Sequence, residues 1–483
     1  MNAAWWSMLA QVASKLISPI TTIVLARLLT PEAFGVVALS TMVTSLSNMF
    51  SDAGFQRYLV QRAFRDKEEE GQYASVAFWT NMGVSCAIVI LIALFQDPLA
   101  EFIGCPGLGL MLVVSSLSLP LTALVSVQTA LYQKCLDFKT LFGSRFGSSL
   151  LIFLVAVPMA YFGCDYWSLV VSTLASNAFL AIWLTALSTW KPRLFYSFEM
   201  LGKMLSFGVW ILLESFATWL NTWLGTFIIS QLLTGTYIGY YNTSVNMATS
   251  ITSIITSAIL PVAFSTFAKL KLDKSRFEHV FFVMQKYLAM CMIPVAVGCL
   301  VFRELVTTLL LGDQWLDASL FFGCWMFVGC TVVVFGNLCS EAYRAFGMPR
   351  YCVLVQVVYL VPFVPTLYLG ASQGWGVFSL LVPAGRLSLC LIHLVVAWVA
   401  LRISPVRMIT NPKWTYLQTI LAMLPGVIVT SLGFSIFAQL VAAVAAVIIY
   451  VVLVLVVKDT REYALDLLGK FRGKAQRHRG GAD

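Results

Sequence analysis

The sequence contains little charge. Asp, Glu, Lys and Arg together make up 11% of its 483 residues, whereas an ordinary soluble domain carries about 25%. Apolar residues make up 59%, a surplus that a soluble protein cannot hold because its surface needs charge for solubility. A bilayer accepts it, since each span needs about 20 apolar residues to cross about 30 Å of hydrocarbon. The composition therefore predicts a protein made almost entirely of transmembrane helices.

Signatures of enzymes and metal proteins are also missing. No phosphate-binding loop of the form GxxxxGK[ST] is present, so direct use of ATP is not expected. The eleven cysteines form no CxxC pair, and the three histidines form no cluster. The connections on one side are short and carry few carboxylates, which argues against a membrane glycosyltransferase or polymerase. We expect no catalytic residue, no metal and no cofactor, and leave H⁺ or Na⁺ open as a coupling ion.

Two features of the ends and connections bear on processing. No Lys or Arg precedes the first apolar run and no small-residue cleavage site follows a short core, so we expect the first helix to be kept rather than removed as a signal peptide. Cys105 and Cys164 both fall in predicted outer connections. A disulfide between them stays an open alternative that requires an oxidising compartment.

The apolar runs are too long for strands and show no alternation with period two. They predict about 14 transmembrane helices, at 5–28, 33–55, 73–95, 108–131, 145–162, 166–189, 205–231, 236–264, 279–302, 316–340, 351–370, 374–401, 415–434 and 437–457. Most of the 31 Lys and Arg residues fall in connections on one side, and only Arg27 and Arg303 fall in those on the other. The positive-inside rule then predicts that both termini are cytoplasmic.

The sequence also repeats itself. Arg27-Leu-Leu-Thr30 with Phe34-Gly35 matches Gln231-Leu-Leu-Thr234 with Ile238-Gly239 at a constant offset. Each repeat holds six spans, and an even number gives a parallel repeat about an axis along the membrane normal. We predict an all-α integral membrane protein with two six-helix lobes in a parallel pseudo-two-fold repeat, plus two C-terminal helices. The predicted parts are an N-lobe at 1–190, a cytoplasmic linker at 191–204, a C-lobe at 205–402, two further spans at 403–457 and a basic cytoplasmic tail at 458–483.

Polar residues form stripes on the first two spans of each lobe. Their helical spacing puts each set on one face, and the sets are Gln11, Lys15, Ser18 and Thr22; Thr41, Ser45, Asn48 and Asp52; Glu214, Thr218 and Asn221; and Asn242, Asn246, Thr249 and Ser253. Span 4 carries a weaker stripe of Ser115, Ser118 and Thr122. We expect a shared water-filled cavity on the pseudo-axis. For any single Ser, Thr or Asn the alternative is that it only joins neighbouring helices.

Charges inside spans are the sharper candidates. Lys15 lies about ten residues into span 1, or about 15 Å deep, where a cation needs water, an anion or a partner. Glu214 of span 7 could form a gate pair with it. Arg27 lies at the outer end of span 1, where reaching to the interface is the alternative. Arg386 in span 12 and Lys286 in span 9 are further candidates, and Asp52 could pair with the neighbouring Arg57.

Several segments together resemble a known family. They are Ala26-Arg-Leu-Leu-Thr-Pro31-Glu-Ala-Phe-Gly35, Asp52-Ala-Gly54-Phe with Leu59-Val-Gln61-Arg62, Tyr132-Gln-Lys134, Gly239-Tyr-Tyr-Asn242, Leu260-Pro261 and Ala345-Phe-Gly347. In order and spacing they resemble bacterial polysaccharide exporters of the colanic-acid and O-antigen type, within the multidrug/oligosaccharidyl-lipid/polysaccharide (MOP) flippase superfamily. The resemblance implies an oligosaccharide on a polyprenyl pyrophosphate carrier as substrate, and a cavity lined by spans 1, 2, 7 and 8.

We therefore expect a flippase of the bacterial inner membrane that works by alternating access of two lobes, as a monomer. Its partners would be the lipid-linked oligosaccharide, membrane lipid and other polysaccharide assembly proteins, with no nucleic acid. Substrate-binding candidates are Gln11, Lys15, Arg27, Asn48, Asn221, Asn242, Asn246 and Arg386, and gating or coupling candidates are Asp52 and Glu214. The alternatives are a cation-coupled drug antiporter of the same fold and, from another class, a membrane glycosyltransferase or polymerase.

Overall fold

The computed structural model describes residues 17–463 and residue 465, without the side chains of Phe207, Trp210, Glu214 and Ala258. Every regular element within these residues is helical. The chain divides into two compact units, unit 1 at Met1–Thr243 and unit 2 at Ser244–Asp483. The division falls inside a helix, and the lobe boundaries predicted around 191–204 stay a prediction.

The described helices follow the predicted spans in order. Eleven are long and apolar enough to cross a membrane, and thirteen are if two bent helices are each counted as one span. A shorter apolar helix, Ile17–Leu28, begins the series, so the predicted number of about 14 agrees closely. The helices are α1 (Ile17–Leu28), α2 (Pro31–Asp52), α3 (Lys67–Leu94), α4 (Gly109–Lys134), α5 (Phe138–Tyr161), α6 (Tyr166–Leu187), α7 (Phe198–Leu232), α8 (Gly235–Lys269), α9 (Lys274–Val301), α10 (Asp313–Ala345), α11 (Arg350–Ser372), α12 (Trp375–Leu401), α13 (Pro405–Ser431) and α14 (Ile436–Val456).

Local sequence explains where α2 begins and ends. The Thr30 side chain accepts a hydrogen bond from the backbone N–H of Ala33, and Pro31 occupies the first turn, where its missing N–H costs nothing. At the other end Ala53 and Gly54 both adopt the left-handed conformation, with φ of 43° and 78°. The reversal stops α2 and starts a short helix, Phe55–Gln61. This short helix carries Arg57, which belongs to the candidate functional site.

The two repeats meet in unit 1 through their equivalent glycines. A Cβ added to Gly35 would lie 3.0 Å from the backbone nitrogen of Gly239, and one added to Gly239 would lie 3.3 Å from that of Gly35. The same added atoms would come closer than 3.0 Å to the carbonyl oxygens of Gly235 and Pro31, respectively. Small residues let two membrane helices approach this closely. Because each glycine meets the other's helix in the same way, the contact is the one expected on the pseudo-two-fold axis.

Two spans are bent, and a proline or a glycine lies close to each bend. α8 bends by 46° just before Pro261, since proline lacks a backbone N–H and its ring clashes with the carbonyl four residues earlier. α7 bends by 51° near Gly208, where an added Cβ would come closer than 3.0 Å to the carbonyl oxygen of Ala53. That glycine allows α7 to pack against the end of α2.

In unit 2, the last two spans are attached to α9. An apolar cluster buries side chains of α9's end, a short helix at Arg303–Leu310, α13 and α14, among them Phe302, Leu305, Met423, Ala442 and Ala446. Lys286 donates to the carboxylate of Asp459 at 2.9 Å, and its Nζ lies 4.5 Å from the centroid of the Tyr463 ring. The lysine predicted inside span 9 is therefore paired with an acid just beyond α14.

Candidate functional site

Unit 1 contains a cavity of about 620 Å³ between α2, α4, α5, α7 and the short helix Phe55–Gln61. Most of the residues that line it are polar, which is unusual for a space among helices that present apolar residues to lipid. The lining residues are Ser45, Asn48, Met49, Asp52, Gly54, Gln56, Arg57, Thr122, Val125, Ser126, Thr129, Arg145, Ile211, Leu212, Ser215, Thr218, Trp219 and Thr222. The predicted stripes of spans 2, 4 and 7 thus contribute to one space.

Hydrogen bonds across the cavity hold its polar groups in place. Thr122 Oγ1 donates to Asn48 Oδ1 at 2.9 Å, and Ser126 Oγ donates to Asp52 Oδ1 at 2.5 Å. Trp219 Nε1 donates to Ser45 Oγ at 3.1 Å. Two of these bonds join α2 to α4 and the third joins α2 to α7, so these polar side chains are held in position without a ligand. Its amide N–H groups and hydroxyl oxygens can then hydrogen-bond the hydroxyls of a sugar.

Asp52 fills a structural role at the cavity's end. Besides the Ser126 hydroxyl, its carboxylate accepts hydrogen bonds from the backbone N–H groups of Gly54 and Gln56. A carboxylate at a helix start satisfies N–H groups that have no partner within the helix. Asp52 therefore fixes the start of the short helix, and with it the position of Arg57.

Two exposed guanidinium groups, those of Arg57 and Arg145, lie at the cavity. Arg57 is on the short helix after α2, and Arg145 is on α5. A guanidinium group presents parallel N–H donors that match two oxygens of a phosphate. Neither arginine was predicted as a site residue, because the distribution of charge only placed both on the positive side of the membrane and Arg57 was considered only as a partner for Asp52. The signal that could have found Arg57 is its place directly after a polar stripe.

A family model matches residues 24–320, and its family is described as polysaccharide biosynthesis protein. The matched residues make up more than half of the chain. The chain belongs to the polysaccharide biosynthesis protein family. The family model covers every residue that lines the cavity, so the site described here is built from the part of the chain that defines membership.

Individual relatives of this chain have low sequence identity to it. The succinoglycan biosynthesis transport protein ExoT of Rhizobium meliloti (strain 1021) is 24% identical over 310 residues, which are 64% of this chain and 62% of that protein. The lipopolysaccharide biosynthesis protein WzxC of Escherichia coli (strain K12) is 23% identical over 317 residues, 65% of this chain and 64% of that protein. The match thus spans less than two thirds of the length of either relative.

Solved structures show the same fold at low identity. The lipid II flippase MurJ, in an inward closed conformation, gives a TM-score of 0.74 at 12% identity and covers 93% of this chain and 98% of MurJ. An inward-facing multidrug resistance MATE family transporter of the MOP superfamily gives 0.63 at 14% identity, covering 83% and 96%. This member of the polysaccharide biosynthesis protein family therefore has the same fold as MurJ and this transporter of the MOP superfamily, and the predicted fold is confirmed.

The predicted site residues fall into three groups. Gln11 and Lys15 lie outside the described residues, and so does the side chain of Glu214, which leaves the proposed gate pair a prediction. Asn48 and Asp52 line the unit 1 cavity. The remaining candidates, which do not line that cavity, are Arg27, Asn221, Asn242, Asn246 and Arg386.

Two of these remaining residues bind within their own helices or to a neighbour. Asn242 is buried, donates to the carbonyl of Ile238 at 3.1 Å and accepts from Thr226 Oγ1 at 3.1 Å, so it joins α8 to α7. Asn221 donates to the carbonyl of Ala217 at 3.1 Å, while its side-chain oxygen is buried without a hydrogen-bond partner among the described residues. The contacts of Asn242 therefore agree with the alternative that a single polar residue only joins neighbouring helices.

The others lie elsewhere. Arg27 is exposed at the end of α1, and Asn246 is exposed on α8. In unit 2 the guanidinium carbon of Arg386 lies 4.0 Å from the centroid of the Trp325 ring, a cation–π contact that reduces the cost of a charge among apolar helices. Their roles in binding stay predictions.

The cysteines carry no disulfide. Cys105 and Cys164 are both free, as are the other nine. Burial raises the pKa of the Cys105 thiol to about 11, which keeps it protonated and unreactive at neutral pH. Among the described residues no group of three or more His, Cys, Asp or Glu side chains could hold a metal ion.

Proposed function

We propose that this protein moves an oligosaccharide repeat unit, linked to polyprenyl pyrophosphate, from the cytoplasmic to the periplasmic leaflet for exopolysaccharide or O-antigen-type synthesis. The observation that carries the proposal is the unit 1 cavity, in which amides and hydroxyls lie beside the guanidinium groups of Arg57 and Arg145. Membership of the family supports it, as do the names of ExoT and WzxC, which refer to succinoglycan transport and lipopolysaccharide biosynthesis. The MOP fold supports transport rather than bond chemistry, and we propose that the protein is not an enzyme.

The cavity suggests how the parts of such a substrate would be divided. The two guanidinium groups would take the pyrophosphate, because each can bind two phosphate oxygens at once. Asn48, Thr122 and Thr218 would replace water around the sugar hydroxyls. The prenyl tail would stay in lipid, since burying it in a polar cavity brings no gain. In this proposal Lys15 and Glu214 act later, as a gate pair that the substrate anion opens by replacing Glu214.

We further propose a bacterial inner-membrane location with both termini in the cytoplasm, which puts Arg57 and Arg145 on the side where the substrate is made. The positive-inside distribution of Lys and Arg supports this orientation. In this proposal the protein works as a monomer without a cofactor, and other polysaccharide assembly proteins take up its product. Either H⁺ or Na⁺, or consumption of the product, would drive transport.

The test is charge reversal at the cavity. A charged hydrogen-bond partner contributes about 1.5–3 kcal/mol, so Arg57→Glu and Arg145→Glu should each reduce transport at least about tenfold, while Arg57→Lys should retain part of it. The measurement is the amount of exported polysaccharide, together with the lipid-linked oligosaccharide that accumulates in cells. Arg65→Glu is the matched control, since Arg65 is exposed in the same connection but does not line the cavity. Equal export by all three glutamate variants would contradict the proposal.

A cation-coupled drug antiporter is the second candidate, because the carboxylate of Asp52 lies at the cavity. Coupling to a cation needs a carboxylate that is free to exchange its partners. Asp52 is instead held by the Ser126 hydroxyl and two backbone N–H groups. A drug-accumulation assay separates the two functions, since an antiporter would lower intracellular drug, and Asp52→Asn would abolish that effect.

A further inference from the structure

A second polar cavity in unit 1, of about 780 Å³, shares no residue with the first. It lies where α3 begins, α4 ends and α6 ends, against the segment 188–197 that leads to α7. Three cations line it, Lys67, Lys191 and Arg193, and all three side chains belong to exposed residues. The proposed transport function makes no use of this cavity.

Next to it, an apolar groove of about 400 Å³ runs between α4 and α6. Leu121 and Leu124 of α4 form one wall, and Ala178, Ile182 and Ala186 of α6 form the other. The groove ends at Lys191, which also lines the polar cavity. The apolar groove and the space that contains the cations therefore meet at Lys191.

Most of the acids near those cations are already engaged. Glu70 pairs with Lys134 at 3.2 Å. Asp137 accepts from the backbone N–H of Thr140 at 3.1 Å and from its hydroxyl at 2.7 Å, and these bonds lower the pKa of the Asp137 carboxyl. Glu68 is the remaining carboxylate of the cavity and is exposed. Lys134, which does not line the cavity, neutralises Glu70, whereas Asp137 stays ionised. Three cations therefore face two carboxylates, Glu68 and Asp137, and the cavity keeps a net positive charge that can accept an anion.

Lys191 itself is positioned by backbone oxygens rather than by an acid. Its Nζ donates to the carbonyl oxygens of Thr185 and Ala186, in the last turn of α6. Among the described residues neither Lys191 nor Arg193 forms a salt bridge with a carboxylate. Both retain N–H donors for a further anion.

Hydrogen bonds hold the segment 188–197, which carries Lys191 and Arg193, against α3. Trp190 Nε1 donates to the carbonyl of Gly71 at 3.2 Å, and Trp79 Nε1 donates to the carbonyl of Arg193 at 2.7 Å. Thr80 and Tyr196 join their hydroxyls at 3.1 Å. Lys191 and Arg193 are therefore held at the end of the groove instead of moving freely as parts of a loose connection.

We propose that this part of unit 1 binds one anionic phospholipid of the adjacent leaflet. An acyl chain would occupy the groove between α4 and α6, and the phosphate would contact Lys191 and Arg193 in the polar cavity. A soluble phosphate would use the cations but leave the groove empty, and a zwitterionic lipid would fill the groove without a net charge for the cations. The bound lipid would add contacts to the segment 188–197 and hold it against α3.

The experiment uses the full-length protein in vesicles of phosphatidylcholine with a minor share of phosphatidylglycerol, followed by mild extraction and native mass spectrometry. We expect retained phosphatidylglycerol to exceed its share in the vesicles. Because a Lys or Arg at a membrane surface contributes about 1 kcal/mol, or about fivefold in affinity, Lys191→Ala and Arg193→Ala should each lower retention about fivefold. Lys191→Arg should keep it, and Ala186→Trp should remove it by filling the groove.

Lys269→Ala is the control, since Lys269 is an exposed cation of unit 2 that lines neither space. Retention that follows the vesicle composition, or that is equal in Lys191→Ala and Lys269→Ala, overturns the proposal. Glycerol 3-phosphate is added in a parallel sample. If it displaces the lipid at equal concentration, the groove contributes nothing and the lipid assignment is wrong. The readout is independent of transport, so a failed flippase assignment would leave it unchanged.

Discussion

Replacing Gly239 with alanine tests whether the close packing of α2 on α8 controls the conformation of unit 1. The added Cβ would come closer than 3.0 Å to the carbonyl oxygen of Pro31 and would lie 3.3 Å from the backbone nitrogen of Gly35. Both neighbours are backbone atoms, which cannot rotate away as a side chain can. The helices must therefore move apart.

The size of the effect follows from the cost of overpacking. Extra atoms in a well-packed region cost about 1–3 kcal/mol, which is equivalent to about 5–150-fold in the ratio of two conformations. If the protein also populates a conformation in which these helix ends are separate, as alternating access requires, Gly239→Ala shifts the population toward it by that factor. Transport then falls because the packed conformation is rarely reached.

A disulfide between the two helix ends reports this population. A Cβ at Gly235 would lie 3.6 Å from Cγ of Glu32, which is an ordinary contact, so Glu32→Cys with Gly235→Cys brings two thiols within reach of a bond. We expect rapid crosslinking under mild oxidation, measured by mass spectrometry of the joined peptides. Adding Gly239→Ala should slow it at least about fivefold.

The control for this measurement is Gly143→Ala in α5, where an added Cβ meets nothing within 4 Å. It changes the same residue type in a helix of the same unit without a steric conflict. Equal crosslinking rates in the Gly239→Ala and Gly143→Ala backgrounds would refute the reasoning, because the close approach would then have no energetic consequence.

Three further predictions concern stability, each measured by thermal unfolding of the purified protein. Trp190→Phe keeps an aromatic ring but loses the indole hydrogen bond to α3, so it should cost about 1 kcal/mol, and Trp190→Ala should cost more. Lys286→Met leaves Asp459 without its partner and should lower the free energy of unfolding by about 1 kcal/mol. The cost is that of a half-buried ion pair, because the lysine side chain is only 16% exposed but that of Asp459 is 40% exposed. Adding Asp459→Asn should recover most of this loss. Asp52→Ala removes a helix-start acceptor and should cost about 1–2 kcal/mol, with Asp52→Asn costing less, whereas equal melting temperatures for the two Asp52 variants would contradict the capping role.

The polar stripes show which site residues helical spacing can predict and which it cannot. Helical spacing identified Asn48 and Asp52 as one face of α2, and both line the unit 1 cavity. The same spacing put Asn242 on a polar face of α8, where its amide instead bonds to Thr226 of α7. Periodicity shows which side of a helix is polar, but a polar side can meet water or a neighbouring helix equally well. Only the contacts separate these two cases.

Arg57 and Arg145 are site residues that no sequence pattern predicted. The distribution of charge placed both on one side of the membrane but did not identify a site, because they are 88 residues apart and belong to no common stripe. They reach one cavity because Ala53 and Gly54 reverse the chain after α2 and because α5 packs nearby. No pattern within a single helix contains that information.

That this protein spans a membrane many times, and roughly where, could be predicted from its amino-acid sequence. That follows from composition and charge, since a chain in hydrocarbon must satisfy its backbone hydrogen bonds within helices and keep its basic connections on one side. Its repeat determined which glycines are equivalent. Three features could not be predicted in this way: the contact of Gly35 with Gly239, the acid partner of Lys286, and the two cavities of unit 1 that cations line. Each depends on the packing of helices that are far apart in the chain.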